Sequence, residues 1–256
     1  MGVRMSVRRT TVLERIELDS VRRAVEAVSA GRIVIVIDDA DRENEGDFVC
    51  AGALTTPEMV NLMVTRGRGL VCLAIPPEVA EQLDLVPQTG ATSALHGTNF
   101  TVSVDAVEET TTGISAADRA KTIQVLSDPE ATPDQLARPG HMFPIIAHPD
   151  GLEVRRGHTE AAVWLSQAAG ITPATGVICE IMAEDGEMAA GKELRDLAEE
   201  LDMPLVHVDD IAAEATRLSS LGPAKSTGGN NFNAEARVNR QGRTMGASGS
   251  NHRYTE

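Results

Sequence analysis

The chain has 256 residues, 42% of them apolar, which is enough to bury a full core as one large domain or two small ones. One Trp, one Tyr and four Phe argue against an aromatic stacking surface for single-stranded nucleic acid, and leave the core to Val, Ile, Leu, Ala and Met, as in α/β enzymes. A formal charge of −15 argues against a phosphate-backbone partner for the body of the protein, and nucleic acid is left only as a weak option for the basic tail.

Three cysteines (Cys50, Cys72, Cys179) form no CxxC pair, and the simplest setting is a reducing, cytoplasmic one. No apolar stretch approaches the roughly 18 residues of a membrane span, and no apolar signal core follows the arginine-dotted start, so no membrane partner is expected. Gly2 and Ser6 match the myristoylation pattern, which is short enough to recur by chance.

In chain order, residues 1–18 read as an N-terminal arm. "DSVRRAVEAVSAGR" has Val21, Ala24, Val25 and Val28 at helical spacing, Asp19 or Ser20 as the N-cap and Gly31 as the stop. It feeds a strand, Ile33 to Ile37, whose unbroken apolar run predicts cover on both faces. "DFVCAGAL" reads as the next strand, "TPEMVNLMVTRG" as a helix from Thr56 with Pro57 in its first turn, and "GLVCLAI" as a buried strand closed by Pro76 and Pro77. "FTVSVDA" alternates as a strand. Ser115, with Asp118 three residues on, predicts a helix start ending near Asp128. "RPGHMFPIIAHPDG" reads as a rigid turn entering a short strand, and "RRGHTEAAVWLSQAAG" as a helix opening near Thr159 and stopping at Gly170. "TGVICEIM", "GKELRDLAEELD", "MPLVHVDD" and "IAAEATRLSSL" then alternate strand and helix. Residues 222–256 lose the periodicity and carry five Lys/Arg against two Glu, which reads as a disordered basic tail and leaves −18 on the rest.

The stretch "DDADRENEGD", residues 38–47, sets six carboxylates directly after an apolar strand. In extended chain Glu43, Glu45 and Asp47 share a face about 7 Å apart, and like charges at that range repel by about half a kcal/mol each in bulk water, severalfold more in a cleft. A solvated acidic turn and a divalent-cation site at the carboxyl end of a strand both fit. An EF-hand does not, since position 12 counted from Asp41 is Gly52 rather than Glu. Arg155, His158 and Thr159 stand at a helix start, as do Thr111, Thr112 and Ser115, where free N–H groups favour an anion, although hydroxyls there are mostly caps. Glu180 interrupts the apolar run "GVICEIM", and a buried Glu must be paired, metal-bound or raised in pKa. No phosphate-loop, dinucleotide, HExxH or GxSxG pattern is present.

Taken in order, "DDADRENEGD", "RGLVCLAI", "GTNFTVSVDA", "TTTGISAADRAKTI", "RPGHMFP", "RRGHTEAAV" and "GVICEIM" closely resemble the 3,4-dihydroxy-2-butanone 4-phosphate synthase family of riboflavin biosynthesis, from about Asp19 to Ile211. The resemblance implies a lyase acting on ribulose 5-phosphate. It implies a three-layer α/β/α sandwich around a mixed β-sheet, a single domain over 19–221, a homodimer with interface active sites, and Mg2+ or Mn2+, two ions per site. By motif it implies Glu43 and His158 as metal ligands, and Arg42, Glu43, Asp47, Thr112, Arg155, Arg156, Gly157, His158, Thr159 and Glu180 as substrate contacts. His141 and Glu180 are implied as the proton-transfer pair, with Glu45 and Cys72 as second-rank catalytic candidates. Trp164, an inserted Thr175 and the basic tail depart from the family pattern. No zinc-type cysteine set of a fused GTP cyclohydrolase II is present, so a monofunctional chain is expected. A catalytically silent relative that binds a sugar phosphate is the alternative.

Overall fold

The computed structural model of the chain describes residues 12–90 and 97–221. Most of the expected N-terminal arm, with Gly2 and Ser6, and the tail over 222–256 lie outside the described residues.

Helix α1 (Asp19–Ser29) follows a short 3-10 turn, Leu13–Arg15, and leads into strand β1 (Val34–Ile37). Its N-cap is Leu18, one residue before the expected cap, so Asp19 sits in the first turn. There its charge suits the helix dipole and pairs with Arg22 and Arg23. Strand β2 (Gly46–Ala51) runs back antiparallel to β1, with Ile37 opposite Gly46 and Val36 opposite Asp47. Helix α2 (Pro57–Leu62) is capped by Thr56 as expected, but passes into a π-helical turn, Met63–Gly67, before strand β3 (Cys72–Ile75). Where the sequence reading had only a strand stop, Pro77 opens a short helix, α3 (Pro77–Gln82).

The expected strand "FTVSVDA" shrinks to β4 (Val104–Ala106), with isolated bridges at Phe100 and Thr101. Helix α4 (Ala116–Leu126) starts as predicted, the Ser115 hydroxyl accepting the Asp118 N–H at 3.0 Å. The reading of "RPGHMFP" as a turn is corrected. It belongs to an eleven-residue strand, β5 (Leu136–Ile146). Register along β4 jumps from Met142 to Ala137, so residues 138–141 bulge out of the ladder, and Pro139, which has no N–H to give, falls within that bulge. Helix α5 (His158–Ala168), strand β6 (Gly176–Glu180), helix α6 (Lys192–Glu200), strand β7 (Leu205–His207) and helix α7 (Val208–Ser220) complete the described chain, close to the predicted bounds.

The seven strands form one mixed sheet in the order β4-β5-β3-β6-β2-β1-β7. Pleating sends alternate residues to opposite faces. Ile35, Phe48, Cys50, Leu73 and Cys179 pack with α2, α3, α4 and α6, whereas Val34, Val36, Val49, Cys72 and Ile178 pack with α1, α5 and α7. The result is the expected three-layer α/β/α sandwich with a core on each face of the sheet.

Thr175 ties the layers together. Its side chain is fully buried, its hydroxyl lies 2.7 Å from Ser127 Oγ at the end of α4, and its carbonyl accepts from Ser166 Oγ and from the Gly52 amide. Thr175→Val keeps the shape and strands the Ser127 hydroxyl, so urea unfolding should show a loss of about 1–2 kcal/mol.

Candidate active site

Strands β1 and β6 end, and β2 and β3 begin, at one edge of the sheet, and the start of α5 covers that edge. Residues 38–45 are the hairpin loop between β1 and β2. Its organiser is Asp38, buried at the strand end and accepting from the Glu43 amide (3.2 Å), the Glu45 amide (2.9 Å) and Arg42 Nη1 (2.8 Å). Asn44 takes the left-handed conformation (φ 57) that closes the loop, one that Asn tolerates better than most residues. The pleat then places Asp47 and Glu180, directly opposite each other on β2 and β6, toward α5.

The cavity so formed holds about 380 Å³ and is lined by Arg42, Glu43, Glu45, Asp47, Arg155, His158, Thr159 and Glu180, together with Thr98, Phe100, Ile145 and Ile178. Arg42 Nη1 also donates to Glu43 Oε2. Glu180 Oε2 accepts the Leu70 N–H at 2.8 Å, and the approach depends on Gly69, where a Cβ would lie 2.6 Å from that oxygen. Arg155 Nη1 donates to the buried Glu160 at 2.6 Å and Nη2 to Thr98 Oγ1 at 3.3 Å. Gly157 lets these groups meet, since a Cβ there would fall 2.7 Å from Arg155 Nη1 and 3.0 Å from Arg42 Nη2.

Five expected site residues lie elsewhere or behind the wall. Cys72 is a core residue of β3, and burial, with the charges of Glu180 and Asp47, pushes its thiol far above the usual range, which leaves a poor proton-transfer group. Arg156 is exposed and pairs with Asp209 at 2.9 Å, a surface contact worth little. Thr112 is exposed in the loop before α4. Gly157 adjoins the cavity without lining it. His141 is 43% exposed on the β5 bulge, its Nδ1 2.7 Å from Asp105 Oδ2 and its amide donating to Asp105 Oδ1. Conversely, the sequence reading assigned no role to Asp38, Thr98, Phe100, Ile145 or Ile178. Ile178 was within reach of it, two residues before Glu180 on the same face of one strand.

His158 Nδ1 stands 3.8 Å from both Glu43 Oε2 and Asp47 Oδ1, an ion-pair distance rather than a hydrogen bond. The His158 imidazole first, then Arg42, hold Glu43 down to about 2 against its burial. Burial, with the repulsion of Glu180, Glu45 and Glu43, pushes Asp47 up to about 7 in spite of His158. Burial alone would lower His158, but the charge of Asp47 and the carboxylates of Glu43 and Asp38 raise it to about 9. Glu45 is raised by burial and by its acidic neighbours. Among the described residues, Asp47 Oδ1 and His158 Nε2 are buried without a hydrogen-bond partner. Asp38, Glu43 and His158 each offer a ligand atom within 4.8 Å of the others.

A sheet covered on both faces, with a carboxylate and imidazole cluster beside two arginines and a helix start, defines an α/β protein whose cavity can hold a cation and an anion side by side. The chain belongs to the 3,4-dihydroxy-2-butanone 4-phosphate synthase family, whose model matches residues 22–214. It is 48% identical over 193 residues to the 3,4-dihydroxy-2-butanone 4-phosphate synthase of Chromobacterium violaceum, covering 75% of this chain and 91% of that one. It is 49% identical over 200 residues to the riboflavin biosynthesis protein RibBA of Cytophaga hutchinsonii, covering 78% of this chain and 49% of that one, so it spans about half the length of such relatives. A crystal structure of 3,4-dihydroxy-2-butanone 4-phosphate synthase in complex with two magnesium ions matches with a TM-score of 0.75 and 36% identity, over 79% of this chain and 99% of the other.

The raised values of Asp47 and His158 act on stability in one direction. Each contributes stability that is full below its ordinary value, 3.8 or 6.5, and is lost as pH rises through about 7 and about 9. Glu43 acts oppositely, its contribution being lost as pH falls from 4.5 toward about 2. Cation-free protein should therefore lose stability in urea from pH 5 to pH 9. His158→Gln should flatten the upper part of that decline, and an unchanged slope would refute the assignment.

Proposed function

We propose that the chain converts D-ribulose 5-phosphate to 3,4-dihydroxy-2-butanone 4-phosphate and formate in riboflavin biosynthesis. The reaction comprises enolisation, loss of the C1 hydroxyl as water, migration of a carbon, rehydration and expulsion of C4. The observation that carries this reading is the pair of buried polar atoms without partners, Asp47 Oδ1 and His158 Nε2, beside Glu43 in a cavity that also holds Arg155. Buried polar atoms left unpaired next to an acidic cluster suit a divalent cation, Mg2+ or Mn2+, for which we propose two ions per site; the relative's structure is a complex with two magnesium ions. Glu43 and His158 are the proposed ligands, because Asp38, though near, already accepts three N–H groups. Bound there, the cation would supply positive charge to stabilise the negative charge that develops on the sugar during enolisation.

The chain's own groups do the rest. Arg155, Arg42, Thr159 and the free N–H groups at the start of α5 bind the phosphate. Glu180, oriented by the Leu70 amide, moves protons within the cavity, with Glu45 beside it. His141 does not line the same chain's cavity, and Asp105 fixes its ring through Nδ1, which leaves Nε2 for a substrate. Its position supports a homodimer in which His141 of the partner subunit and the adjoining Thr112 loop complete the site. Val107 and Ile114, 56% and 55% exposed close to that bulge, are apolar surface that such a contact would cover.

We assign the catalytic domain to 19–221, in keeping with the family match over 22–214 and the end of α7 at Ser220. The cytoplasm is the proposed compartment, supported by three buried, unpaired cysteines. No helix among the described residues is long and apolar enough to cross a membrane.

Substrate labelled at C4 should yield labelled formate and a four-carbon phosphate in the presence of magnesium, and chelator should abolish the release. An isomerase would conserve all five carbons, and a silent relative would release nothing, so unlabelled formate or none from folded, metal-loaded protein refutes the reading. Because the cation must displace the proton of a His158 raised to about 9, binding at pH 7 should release protons, seen by calorimetry in buffers of different ionisation enthalpy. His158→Ala should remove its share of that release and leave the share that comes from Asp47, raised to about 7, and Glu43→Gln should weaken binding about 10-fold or more.

A further inference from the structure

We propose that Glu160 is a positioning residue that holds the Arg155 guanidinium in place, and through it sets the grip of the cavity on an anion. This rests on the sugar-phosphate reading above and adds a residue that lines a different cavity from the reacting groups. Glu160 sits in the first turn of α5, two residues after His158, with its side chain only 1% exposed. A buried carboxylate needs partners on both oxygens, and it has them. Oε1 accepts the His148 amide at 3.0 Å and Oε2 accepts Arg155 Nη1 at 2.6 Å. Arg155 Nη2 reaches the Thr98 hydroxyl on the other side. The guanidinium is thus held by Glu160 and Thr98 on different nitrogens while the residue lines the 380 Å³ cavity.

Arg156, the next residue, shows the contrast. It reaches out to an exposed aspartate, and nothing aims it into the cavity. Charge explains why the first arginine needs a buried acid. The point where a Gly157 Cβ would stand lies within 3.0 Å of Arg155 Nη1, Arg42 Nη2 and Glu160 Oε2 alike, so two guanidinium groups converge there. With no anion bound they repel. Glu43 and Asp38 neutralise Arg42, and Glu160 does the same for Arg155. The Arg155 fork is therefore in place before the anion arrives, and binding does not have to order it. Glu160 also faces a separate cavity of about 520 Å³ beside Trp164 and Pro173, so it stands in the partition between the two.

The test uses Glu160→Gln, Glu160→Asp and Arg155→Lys in the full chain. In 15N spectra the Arg155 guanidinium, identified by its loss in Arg155→Lys, should show distinct Nη signals in the native protein that merge in Glu160→Gln. The KM for ribulose 5-phosphate and the inhibition constant of inorganic phosphate should both rise about 10-fold, the scale of one charge-assisted contact, with kcat changed less than threefold. In the Arg155→Lys background Glu160→Gln should add less than twofold. If Glu160→Gln does not fold, Glu160→Asp, which keeps the charge and shortens the reach, should show the same losses in smaller measure. Unchanged Arg155 signals, an unchanged phosphate constant, or a full second 10-fold loss in the Arg155→Lys background would overturn the proposal. If the native protein neither turns over ribulose 5-phosphate nor binds phosphate, the functional reading fails instead, and the guanidinium spectrum still decides whether Glu160 holds Arg155.

Discussion

Mutual repulsion of carboxylates is the constraint around which this end of the molecule is arranged. Asp38, Glu43, Glu45, Asp47 and Glu180 converge where β1 and β6 end and β2 begins. Three of them find different offsets, whereas Glu45 is raised by burial and by its acidic neighbours. Asp38 takes two amides and Arg42, Glu43 takes Arg42 and the nearby His158, and Glu180 takes the Leu70 amide. Asp47 is the exception, buried with one oxygen unpaired, and its pKa climbs to about 7 as a result. A buried group left in that condition costs stability in the empty protein, and the cost makes sense where an ion removes it on binding.

The fold serves this arrangement by making three elements meet with little freedom. Register between β2 and β6 fixes Asp47 against Glu180, and a slip of β2 by one residue would send Asp47 to the opposite core. Both strands are covered on each face, so the slip would also bury polar groups among Phe48, Cys50 and Cys179. Helix α5 packs on the same face and delivers His158 from its first residue, which puts the imidazole at the level of the strand ends rather than over the middle of the sheet. Arg155 and Arg42 stand beside that helix start, where the dipole is positive, while Glu180 and Glu45 lie toward the strands. The cavity therefore brings arginines and carboxylates together in one space.

What the sequence disclosed and what it withheld divide along local and tertiary lines. The Ser115 cap, Pro57 at a helix start and the unbroken apolar run of β1 are signals written in a few neighbouring residues, and the structure agrees with them. Glu43, Glu45 and Asp47 all line the cavity as an extended chain would suggest, but Glu43 and Glu45 are brought there by the hairpin loop and the left-handed Asn44 rather than by strand period. By contrast, "RPGHMFP" reads as a turn because Pro and Gly are turn residues in isolation, and only pairing with β3 and β4 makes it a strand with a bulge. Arg155 and Arg156 are alike in sequence, and whether each faces the cavity or the solvent is decided by partners 5 and 53 residues away. Glu160 escaped notice for the same reason, since an acid in a first turn ordinarily serves the helix dipole and is exposed.

The position of His141 carries the argument past a single chain. Asp105 accepts both its amide and its ring N–H, which is a heavy investment in the orientation of a side chain 43% exposed on a bulge. Gly113 is crowded against the same pair, with no room for a Cβ between Asp105 Oδ2 and His141 Nδ1. A surface histidine without a task gains little from being held on two sides, because the ordering of an exposed side chain is opposed by entropy and screened by water. Orientation at that cost is understandable if another surface docks there and the free ring nitrogen meets a ligand. The same docking would cover Val107 and Ile114, and it would bring to the cavity the histidine that we propose for proton transfer and that its own chain leaves outside. On that view the bulge of β5 is what carries a buried strand's rigidity out to the surface where the second copy meets it.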